Sequence, residues 1–273
     1  MFGMKKRGAA ENGSAWALVT GAGSGIGRCY ALRLAALGWR LVLAGEHIEP
    51  LEAVKAEIAA AGGAEVRTRA IDLARATAAQ DLFDWTRSEG IAVDVLINNA
   101  GIFSFCDVLQ TPPERIERIV LLHDLTATQL CRLFAADMIA RGVRGRILNM
   151  SSFSLWMPFP GLAIYSASKA YLRSFSVAFA KEVADRGVRV TAVCPAGVAT
   201  DLYGLPPRWQ RIGLKLGALI SADSCARRGL RAMWRGRRCI VPDWWNRALI
   251  PLCKLLPMWM LRPLRNFTMK FQK

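Results

Sequence analysis

Short apolar runs alternate with longer helical patterns along most of the chain, and this alternation constrains the fold more than any other feature. Strands are predicted at residues 15–20, 40–44, 66–71, 93–97, 146–150 and 188–193. Helices are predicted between them, near residues 26–37, 51–61, 76–89, 113–141 and 163–186. Strands that alternate with helices form βαβ units, so we expect an α/β fold whose doubly wound parallel sheet is covered on both faces.

The composition indicates one globular domain with a further segment at each end. Of the 273 residues, 53% are hydrophobic and 21% are charged, which excludes a disordered chain. No linker or internal repeat interrupts the sequence before residue 200, so we assign residues 15–242 to a single domain. Residues 1–14 are predicted to be a flexible tail, and residues 243–273 form a basic, tryptophan-rich and hydrophobic extension.

Cysteine usage and the N-terminal sequence favour a cytoplasmic protein. The seven cysteines include no CxxC pair and no Cys/His cluster, which predicts reduced thiols and no metal site. The basic start of the chain is followed by a polar stretch at residues 8–14, where a signal peptide would be apolar. No uninterrupted apolar run reaches the roughly 20 residues that a membrane-spanning helix needs.

A glycine-rich turn separates the first predicted strand from the first predicted helix. Residues 20–27 read TGAGSGIG, with the spacing Gly21-x-x-x-Gly25-x-Gly27. Glycine lets the backbone approach phosphate oxygens closely, and the helix N-terminus behind it offers unpaired N–H groups. Between a strand and a helix, such a turn predicts a site for a dinucleotide pyrophosphate.

Glu46 follows the second predicted strand, nineteen residues beyond Gly27. A carboxylate at this place can hydrogen-bond the hydroxyls of the adenosine ribose. The alternative is an ordinary surface glutamate at a helix entry. A carboxylate would repel a 2′-phosphate, and residues 44–50 contain no Arg or Lys, so NAD(H) is favoured over NADP(H).

Tyr165 and Lys169 are four positions apart in a predicted helix, which places them on the same face. An ordinary tyrosine is a poor acid or base at neutral pH, but a neighbouring ammonium, together with an oxidised nicotinamide ring, favours the phenolate. Ser152 follows the strand at 146–150 and could hydrogen-bond the substrate oxygen that the tyrosine protonates. Taken alone, a Tyr and a Lys one turn apart are most often surface residues.

Together these motifs resemble the short-chain dehydrogenase/reductase family, over roughly residues 14–202. The resemblance rests on TGAGSGIG at 20–27, Asp72-Leu73, NNAG at 98–101, Ser152, YSASK at 165–169 and PAGVAT at 195–200. It implies a Rossmann-like fold and an NAD(P)-dependent oxidoreductase that interconverts a hydroxyl and a carbonyl group, an EC 1.1.1 type of reaction.

The resemblance also implies roles for individual residues. Tyr165 would be the acid/base, Lys169 would lower its pKa and hold the nicotinamide ribose, and Ser152 would orient the reacting oxygen. The cofactor site would further contain Gly21, Ser24, Gly25, Ile26, Gly27, Glu46, Asp72, Leu73, Asn99, Ala100, Gly101, Pro195, Val198 and Thr200. The NNAG motif would at the same time be a strand-ending turn that holds the sheet together.

The sequence departs from the family pattern at two places in the expected site. Asp124 stands where the family usually has an asparagine that holds a water linked to the active-site lysine. A carboxylate there could still accept hydrogen bonds from water and Lys169, but its charge would raise the pKa of Tyr165 and weaken it as a base. His123 is predicted to be a packed helix residue. Ala196 replaces a usual glycine, and residues 236–242 could supply the last strand in place of the family's common ending.

Beyond Thr200 the chain becomes basic and aromatic. From residue 202 to the end, the sequence contains fifteen Lys and Arg but only two Asp. Residues 202–222 correspond to the family's substrate-covering segment, whose apolar residues could form a lid or simply pack on the core. Trp and Leu flanked by Arg and Lys in the extension 243–273 are typical of a segment that lies on anionic lipid. Dimer packing and pocket closure are the alternatives, and no nucleic-acid motif accompanies the charge.

The sequence therefore predicts an oxidoreductase acting on a hydrophobic hydroxy or keto compound, such as a steroid or another lipid-like molecule. We expect a homodimer or homotetramer in the cytoplasm, with peripheral membrane association through the extension. The alternative, motivated by Asp124 and the extension, is a catalytically weak dinucleotide-binding or membrane-associated regulatory protein with the same fold.

Overall fold

The computed structural model describes residues 15–156, 159–243 and 248. Within these residues, nine strands are found. They are β1 Trp16–Thr20, β2 Arg40–Gly45, β3 Val66–Ala70, β4 Val93–Asn98, β5 Arg146–Met150, β6 Arg189–Val193, β7 Val198–Ala199, β8 Ile220–Ser221 and β9 Cys239–Ile240. Seven of them form one parallel sheet in the order β3-β2-β1-β4-β5-β6-β9, and β7 pairs with β8 in a separate two-stranded sheet.

Helices connect the strands and cover both faces of the sheet. They are α1 Gly25–Ala35, α2 Ile48–Ala60, α3 Ala78–Ser88, α4 Pro113–Val120, α5 Ala127–Ala140, α6 Ala163–Glu182, α7 Pro207–Lys215 and α8 Ala222–Trp234. Short 3₁₀ turns lie at Val108–Gln110, Phe153–Trp156 and Asp201–Tyr203. The predicted α/β fold with a doubly wound sheet is confirmed, and residues 15–242 contain a single main sheet, whose last strand comes from the predicted segment 236–242.

Burial follows from the apolar character of the strands on both of their faces. All five residues of β1 are buried, as expected for a strand at the centre of a parallel sheet. One core layer packs α1, α2 and α8 on the sheet, and the other packs α3, α5 and α6 on the opposite face. The side chain of Tyr30 from α1 is completely buried in the first layer, where its hydroxyl lies 3.3 Å from the sulfur of Met150.

The order of the strands determines where a ligand can bind. The chain proceeds from β1 outward to β3, then returns to β4 on the other side of β1. Loops leaving β1 and β4 therefore diverge, and open parallel sheets bind ligands in the crevice at such a switch point, beyond the carboxyl ends of the strands. The glycine-rich turn and the NNAG motif end these two neighbouring strands.

The predicted helix at 113–141 is continuous but changes its winding. A π-helical segment, Leu121–Thr126, joins α4 to α5. Such π-turns are often found at functional sites, and this one carries His123 and Asp124. Among the described residues, the stretch Pro113–Ala140 is long and apolar enough to cross a membrane by length and composition. It contributes Leu130 and Phe134 to the second core layer.

Two predicted segments lie wholly or largely outside the described residues. They are the tail at 1–14 and, apart from Asp243 and Ala248, the extension at 243–273. The substrate-covering segment is described, and it folds into a 3₁₀ turn, α7 and β8.

Candidate active site

A cleft of about 410 Å³ lies at the carboxyl ends of the central strands. It brings together thirteen of the residues that the sequence predicts for the site. They are Gly21, Ser24, Gly25, Ile26, Asn99, Ala100, Gly101, Ser152, Tyr165, Lys169, Pro195, Val198 and Thr200. Ile102, Met150, Ser151, Asp201 and Leu202 complete its lining. Gly27, Glu46, Asp72, Leu73 and Asp124 are not part of this lining.

The glycine-rich turn needs glycine at three positions, because of its backbone angles and its close backbone contacts. Gly21 and Gly25 have φ angles of +62° and +52°, a conformation that favours glycine. A Cβ on Gly27 would lie 2.0 Å from the carbonyl oxygen of Gly21, so no larger residue fits there. Gly27 therefore acts as a spacer within the turn, whereas Gly21 and Gly25 line the cleft itself.

The start of α1 leaves its N–H groups available to a ligand. The residue before the helix, Ser24, has extended backbone and makes no side-chain cap, and the first turn carries no acidic residue. Unpaired N–H groups and the helix dipole favour an anion at this place. The residues present thus fit the pyrophosphate of a dinucleotide, with Gly25 at the first turn of the helix.

The NNAG motif holds the turn against β4. The side-chain amide of Asn99 donates hydrogen bonds to the carbonyls of Thr20 and Gly21, at 3.1 and 3.2 Å. The hydroxyl oxygen of Thr20 accepts hydrogen bonds from the N–H groups of Asn99 and Ala100, both at 3.0 Å. Asn98 in turn donates to the buried side chain of Asn149 on β5 at 2.9 Å. The motif therefore stabilises the sheet and also lines the cleft.

Glu46 and Asp72 line a separate surface pocket beside the end of β3 and do not line the cleft. Arg118, which the sequence did not indicate, joins them there. Arg118 from α4 contacts Asp72 at 2.9 Å and Glu46 at 3.4 Å. Partial burial by itself raises the pKa of Asp72. Hydrogen bonds from the Ala74 N–H and from Arg118 lower it by more, so the pKa of Asp72 is lowered. Leu73 is buried, and its carbonyl accepts a hydrogen bond from Thr126.

Tyr165, Lys169 and Ser152 converge from α6 and from the end of β5. The Lys169 ammonium lies 5.7 Å from the centre of the Tyr165 ring and donates to the carbonyl of Met150 at 3.1 Å. The hydroxyl of Ser151 donates to the carbonyl of Lys169 at 2.7 Å, which ties the strand to the helix a second time. The spacing Tyr165-x-x-x-Lys169 thus places both side chains in one cleft, as the sequence predicts.

Within the protein alone, burial is the main influence on the pKa of Tyr165, and the lowering expected from Lys169 together with an oxidised nicotinamide ring stays a prediction. Burial raises the pKa of Tyr165 to about 12, and the hydrogen bond with Ser152 lowers it only in part. Burial also lowers the pKa of Lys169 to about 8, although Asp124 and Cys194 raise it. Burial desolvates both side chains, and in the protein alone this keeps Tyr165 a neutral phenol at pH 7.

Ser152 is oriented to act as a donor. Its hydroxyl oxygen accepts a hydrogen bond from the N–H of Ser154 at 3.2 Å. The hydroxyl proton therefore points away from this backbone group, toward Tyr165 or a ligand in the cleft. The side chain is buried, so little solvent competes for this proton.

His123 links the loop after β4 to the helix that carries Tyr165. Its Nε2 accepts the N–H of Ile102 at 2.9 Å, and its Nδ1 lies 2.9 Å from the hydroxyl of Ser168, which donates to the Tyr165 carbonyl. Burial and Lys169 hold the pKa of His123 well below its usual range. The ring is therefore neutral, with its proton on Nδ1, which fits the prediction of a packed helix residue.

Asp124 occupies a half-buried place near Lys169. Burial raises its pKa to about 6, while Lys169 acts in the opposite direction. Within the described part of the chain, its Oδ1 is buried and makes no hydrogen bond. The carboxylate is thus close enough to Lys169 for each to affect the pKa of the other.

An aromatic wall stands beside Tyr165 and has no counterpart among the predicted site residues. Phe103 meets the Tyr165 ring edge-to-face at 5.2 Å, Phe105 stacks on Phe103 at 6.5 Å, and Phe159 lies 6.1 Å from Phe105. Phe105 also packs against Gly161. Because these residues come from two separate loops, no periodic pattern in the sequence marks them as neighbours.

Asp243 is a second residue that the sequence gives no reason to choose. It is buried just after β9, and its carboxylate accepts a hydrogen bond from the N–H of Ala196 at 3.2 Å. The loop after β6, which carries Pro195 into the cleft, is therefore held from the end of the last strand. This contact forms at the position where a usual glycine is replaced by alanine.

Comparison with known proteins agrees with this geometry. The family model of short chain dehydrogenases matches residues 15–209. A 3-oxoacyl-[acyl-carrier-protein] reductase from Synechocystis sp. is 39% identical over 187 residues, which cover 68% of this chain and 75% of the relative. A very-long-chain 3-oxoacyl-CoA reductase from Bos taurus is 34% identical over 203 residues, or 72% of this chain and 64% of the relative.

Solved structures share both the fold and the class of cofactor. A short-chain dehydrogenase from Sphingobium yanoikuyae in complex with NADPH superposes with a TM-score of 0.75 and 28% identity, covering 89% of this chain and 96% of the other. One from Burkholderia phymatum in complex with NAD gives a TM-score of 0.77 and 26% identity, with 88% and 92% coverage.

The chain therefore belongs to the short-chain dehydrogenase/reductase family. It is an oxidoreductase of the hydroxyl and carbonyl class that uses a nicotinamide dinucleotide. The chain spans 75% of the Synechocystis relative but only 53% of a very-long-chain 3-oxoacyl-CoA reductase from Pyrenophora tritici-repentis.

Proposed function

We propose that this protein reduces the keto group of a 3-oxoacyl thioester or a similar lipid-like ketone. The observation that carries the proposal is the convergence of Ser152, Tyr165 and Lys169 in one cleft with the glycine-rich turn. The names of the relatives, 3-oxoacyl-[acyl-carrier-protein] reductase and very-long-chain 3-oxoacyl-CoA reductase, support the substrate class. The aromatic wall beside Tyr165 offers an apolar surface for an acyl chain. A steroid ketone is a second lipid-like substrate, and it would also need an apolar surface beside Tyr165.

The chemistry assigns one task to each side chain. A bound nicotinamide dinucleotide supplies the hydride. Ser152 donates a hydrogen bond to the carbonyl oxygen, and Tyr165 transfers its phenolic proton to that oxygen as it gains negative charge. Lys169 places a positive charge beside the phenolate that is left, which favours this state. Burial raises the pKa of Tyr165, so the side chain carries the proton that reduction of a ketone requires.

The direct test is to replace Tyr165 with phenylalanine. General acid catalysis contributes about 10²- to 10⁴-fold to a rate, so we expect turnover of a 3-oxoacyl thioester to fall by about 10³-fold. The affinity for the dinucleotide, measured by calorimetry, should change less than about twofold because the ring remains. Phenylalanine in place of Tyr171, which lies outside the cleft on the same helix, serves as the control. Unchanged turnover in the Tyr165 variant would refute the mechanism.

We propose that the protein prefers NAD(H) over NADP(H). The argument from the charge of Glu46 is strengthened by the position of Arg118. Glu46 is exposed at the end of β2, and Arg118 is already shared between two carboxylates, so it is poorly placed to receive a 2′-phosphate. Glu46→Gln should raise the kcat/KM with NADPH relative to NADH by about threefold or more, because a repulsive charge is removed. An enzyme that prefers NADPH before this substitution would contradict the assignment.

A second candidate function is a dinucleotide-binding protein with little turnover. The observation that favours it is the buried Oδ1 of Asp124, a carboxylate beside Lys169 in the site. This function predicts tight dinucleotide binding without hydride transfer to any member of a panel of 3-oxoacyl thioesters and steroid ketones.

We further propose a homodimer or homotetramer in the cytoplasm. Tyr171 on α6 supports self-association, because its ring is exposed and stacks on Phe175, which itself packs against the core. Peripheral association with an anionic membrane through the extension at 243–273 remains a prediction from its composition. Sedimentation of the full chain and of a chain ending at residue 243, with and without vesicles, tests both.

A further inference from the structure

The segment that follows the cleft presents a group of large apolar side chains to solvent. Trp209 and Leu216 are 58% and 78% exposed, and Leu202, Leu205 and Leu214 are also exposed. Single exposed apolar residues are ordinary, but several within one short segment indicate an interaction surface. The alternative of packing on the core does not hold for Leu205, Trp209, Leu214 and Leu216, which are exposed.

Positive charges lie among these apolar residues. Arg208, Arg211 and Lys215 are exposed on α7, and residues 202–222 contain no Asp or Glu. None of the three cations forms an ion pair with another described residue. We call α7 together with Leu205 and Leu216 the lid surface.

Contacts with the rest of the protein hold α7 in place, so the orientation of its exposed side is fixed. Leu219 packs on the helix at Gly213, where a side chain would collide with it. Gln210 donates a hydrogen bond to the carbonyl of Leu205 at 2.9 Å, which ties the helix to the loop before it. Ile212 on the same side is half-buried, whereas Trp209 and Leu216 point away from the core.

The position of the lid surface relates it to the cleft. Asp201 and Leu202 line the cleft, and α7 begins at Pro207, only a few residues later. The lid surface therefore follows directly in the chain after residues that line the cleft. A lipid-like substrate would reach this place from a bilayer or a carrier.

We propose that the lid surface docks on an anionic phospholipid bilayer, with the mouth of the cleft facing the lipid. Tryptophan and leucine between arginine and lysine form the pattern of helices that lie in a membrane interface, where apolar residues insert and cations meet lipid phosphates. An acidic protein would satisfy the three cations but would leave Trp209 and Leu216 without a matching apolar layer. That the docked protein draws its substrate from the bilayer rests on the proposed function, but the docking itself does not.

The test uses the full chain and vesicles of phosphatidylcholine with or without phosphatidylglycerol. We expect binding by cosedimentation to the anionic vesicles, reduced about tenfold or more in W209S/L216S and in R208E/R211E. The matched control is R186E/R238E, which reverses two exposed arginines at the opposite ends of the strands and should keep binding within about twofold. Thermal unfolding verifies that every variant is folded.

Hydrogen exchange locates the contact. Amides of residues 207–217 should exchange more slowly on addition of anionic vesicles, and not on addition of NADH alone. Binding that survives both lid variants would overturn the proposal and assign docking to another part of the chain. Slower exchange with NADH alone, without an effect of vesicles, would mean a lid that closes on the cleft. A change of oligomeric state in the lid variants would identify a second copy as the occupant. Because no substrate is used, failure of the proposed reaction leaves this result independent.

Discussion

The two halves of the cleft are built in different ways. The dinucleotide half consists of the turn at 20–27 and the NNAG motif, which rest on completely buried strand residues such as Val19 and Ile97. The proposed substrate half is formed beside the cleft lining, by the aromatic wall that contacts Tyr165 and by the lid surface, where Trp209 is 58% exposed. The first half is determined by backbone geometry, which few residues satisfy. The second is formed by side chains on loops, which many residues could supply.

The largest effect that would separate the two halves is expected from Gly27→Ala. The added methyl group would lie 2.0 Å from the carbonyl oxygen of Gly21, so the turn must move. Overpacking of this kind costs about 1 to 3 kcal/mol, and we expect dinucleotide affinity to fall by about 10- to 100-fold, as measured by calorimetry.

Gly45→Ala is the matched control, because its methyl group would meet Leu51 at an ordinary contact distance of 3.4 Å. It should leave dinucleotide affinity within about threefold. Equal losses in the two variants would show that the turn is no more constrained than the end of a neighbouring strand.

The same contrast explains how much of the molecule could be predicted from its sequence. The alternation of strands and helices predicts the sheet, because a strand buried on both faces must be apolar throughout. The glycine spacing predicts the tight turn, and with the separation of Tyr165 from Lys169 it predicts the cleft that Gly21, Gly25, Tyr165 and Lys169 line, since each pattern depends on local geometry. Even the last strand, Cys239–Ile240, falls in the predicted segment.

What could not be predicted depends on contacts between distant segments. Arg118 contacts Glu46, which is 72 positions away in the sequence, and Asp72, which is 46 positions away. No local sequence pattern predicts contacts of this kind. Burial, which is a property of the folded cleft, raises the pKa of Tyr165, whereas the sequence shows only the nearby Lys169 that is expected to lower it. The sequence thus indicates which groups are present, and the fold determines their charge states.

A smaller effect is expected in the substrate half, from Phe103→Ala. The substitution removes the ring that meets Tyr165 edge-to-face at 5.2 Å and shortens the apolar wall. We expect kcat/KM for a long-chain 3-oxoacyl thioester to fall by about tenfold, and that for a four-carbon one by less than about threefold, because only the long chain reaches the wall.

Phe175→Ala provides the comparison, because this ring stacks with Phe179 away from the cleft. It should not change the ratio of the two kcat/KM values. If Phe103→Ala lowered both values equally, the wall would serve to position Tyr165 and not to bind an acyl chain.

The smallest effect concerns Asp124, which is close enough to Lys169 for each to affect the pKa of the other. Its pKa is raised from 3.8 to about 6, so the folded protein binds the proton more tightly than the unfolded chain. Stability must therefore fall as the pH rises from about 4 to about 6, because the carboxylate becomes charged at a cost that the unfolded chain does not incur. Asp124→Asn keeps the shape and removes this cost.

We expect Asp124→Asn to match the parent protein at pH 4 and to exceed it by about 1 to 2 kcal/mol in the free energy of unfolding at pH 7, once solvent screening of a half-buried group is considered. Urea unfolding at both pH values measures this difference, with Asp84→Asn on the surface as the control. The same substitution removes a charge that raises the pKa of Lys169, so the alkaline limb of the activity profile, near pH 8, should move to lower pH. A stability difference that is equal at both pH values would mean that Asp124 is ionised throughout. In that case the carboxylate would be a permanent partner of Lys169, and its presence in place of an asparagine would serve to keep the lysine charged.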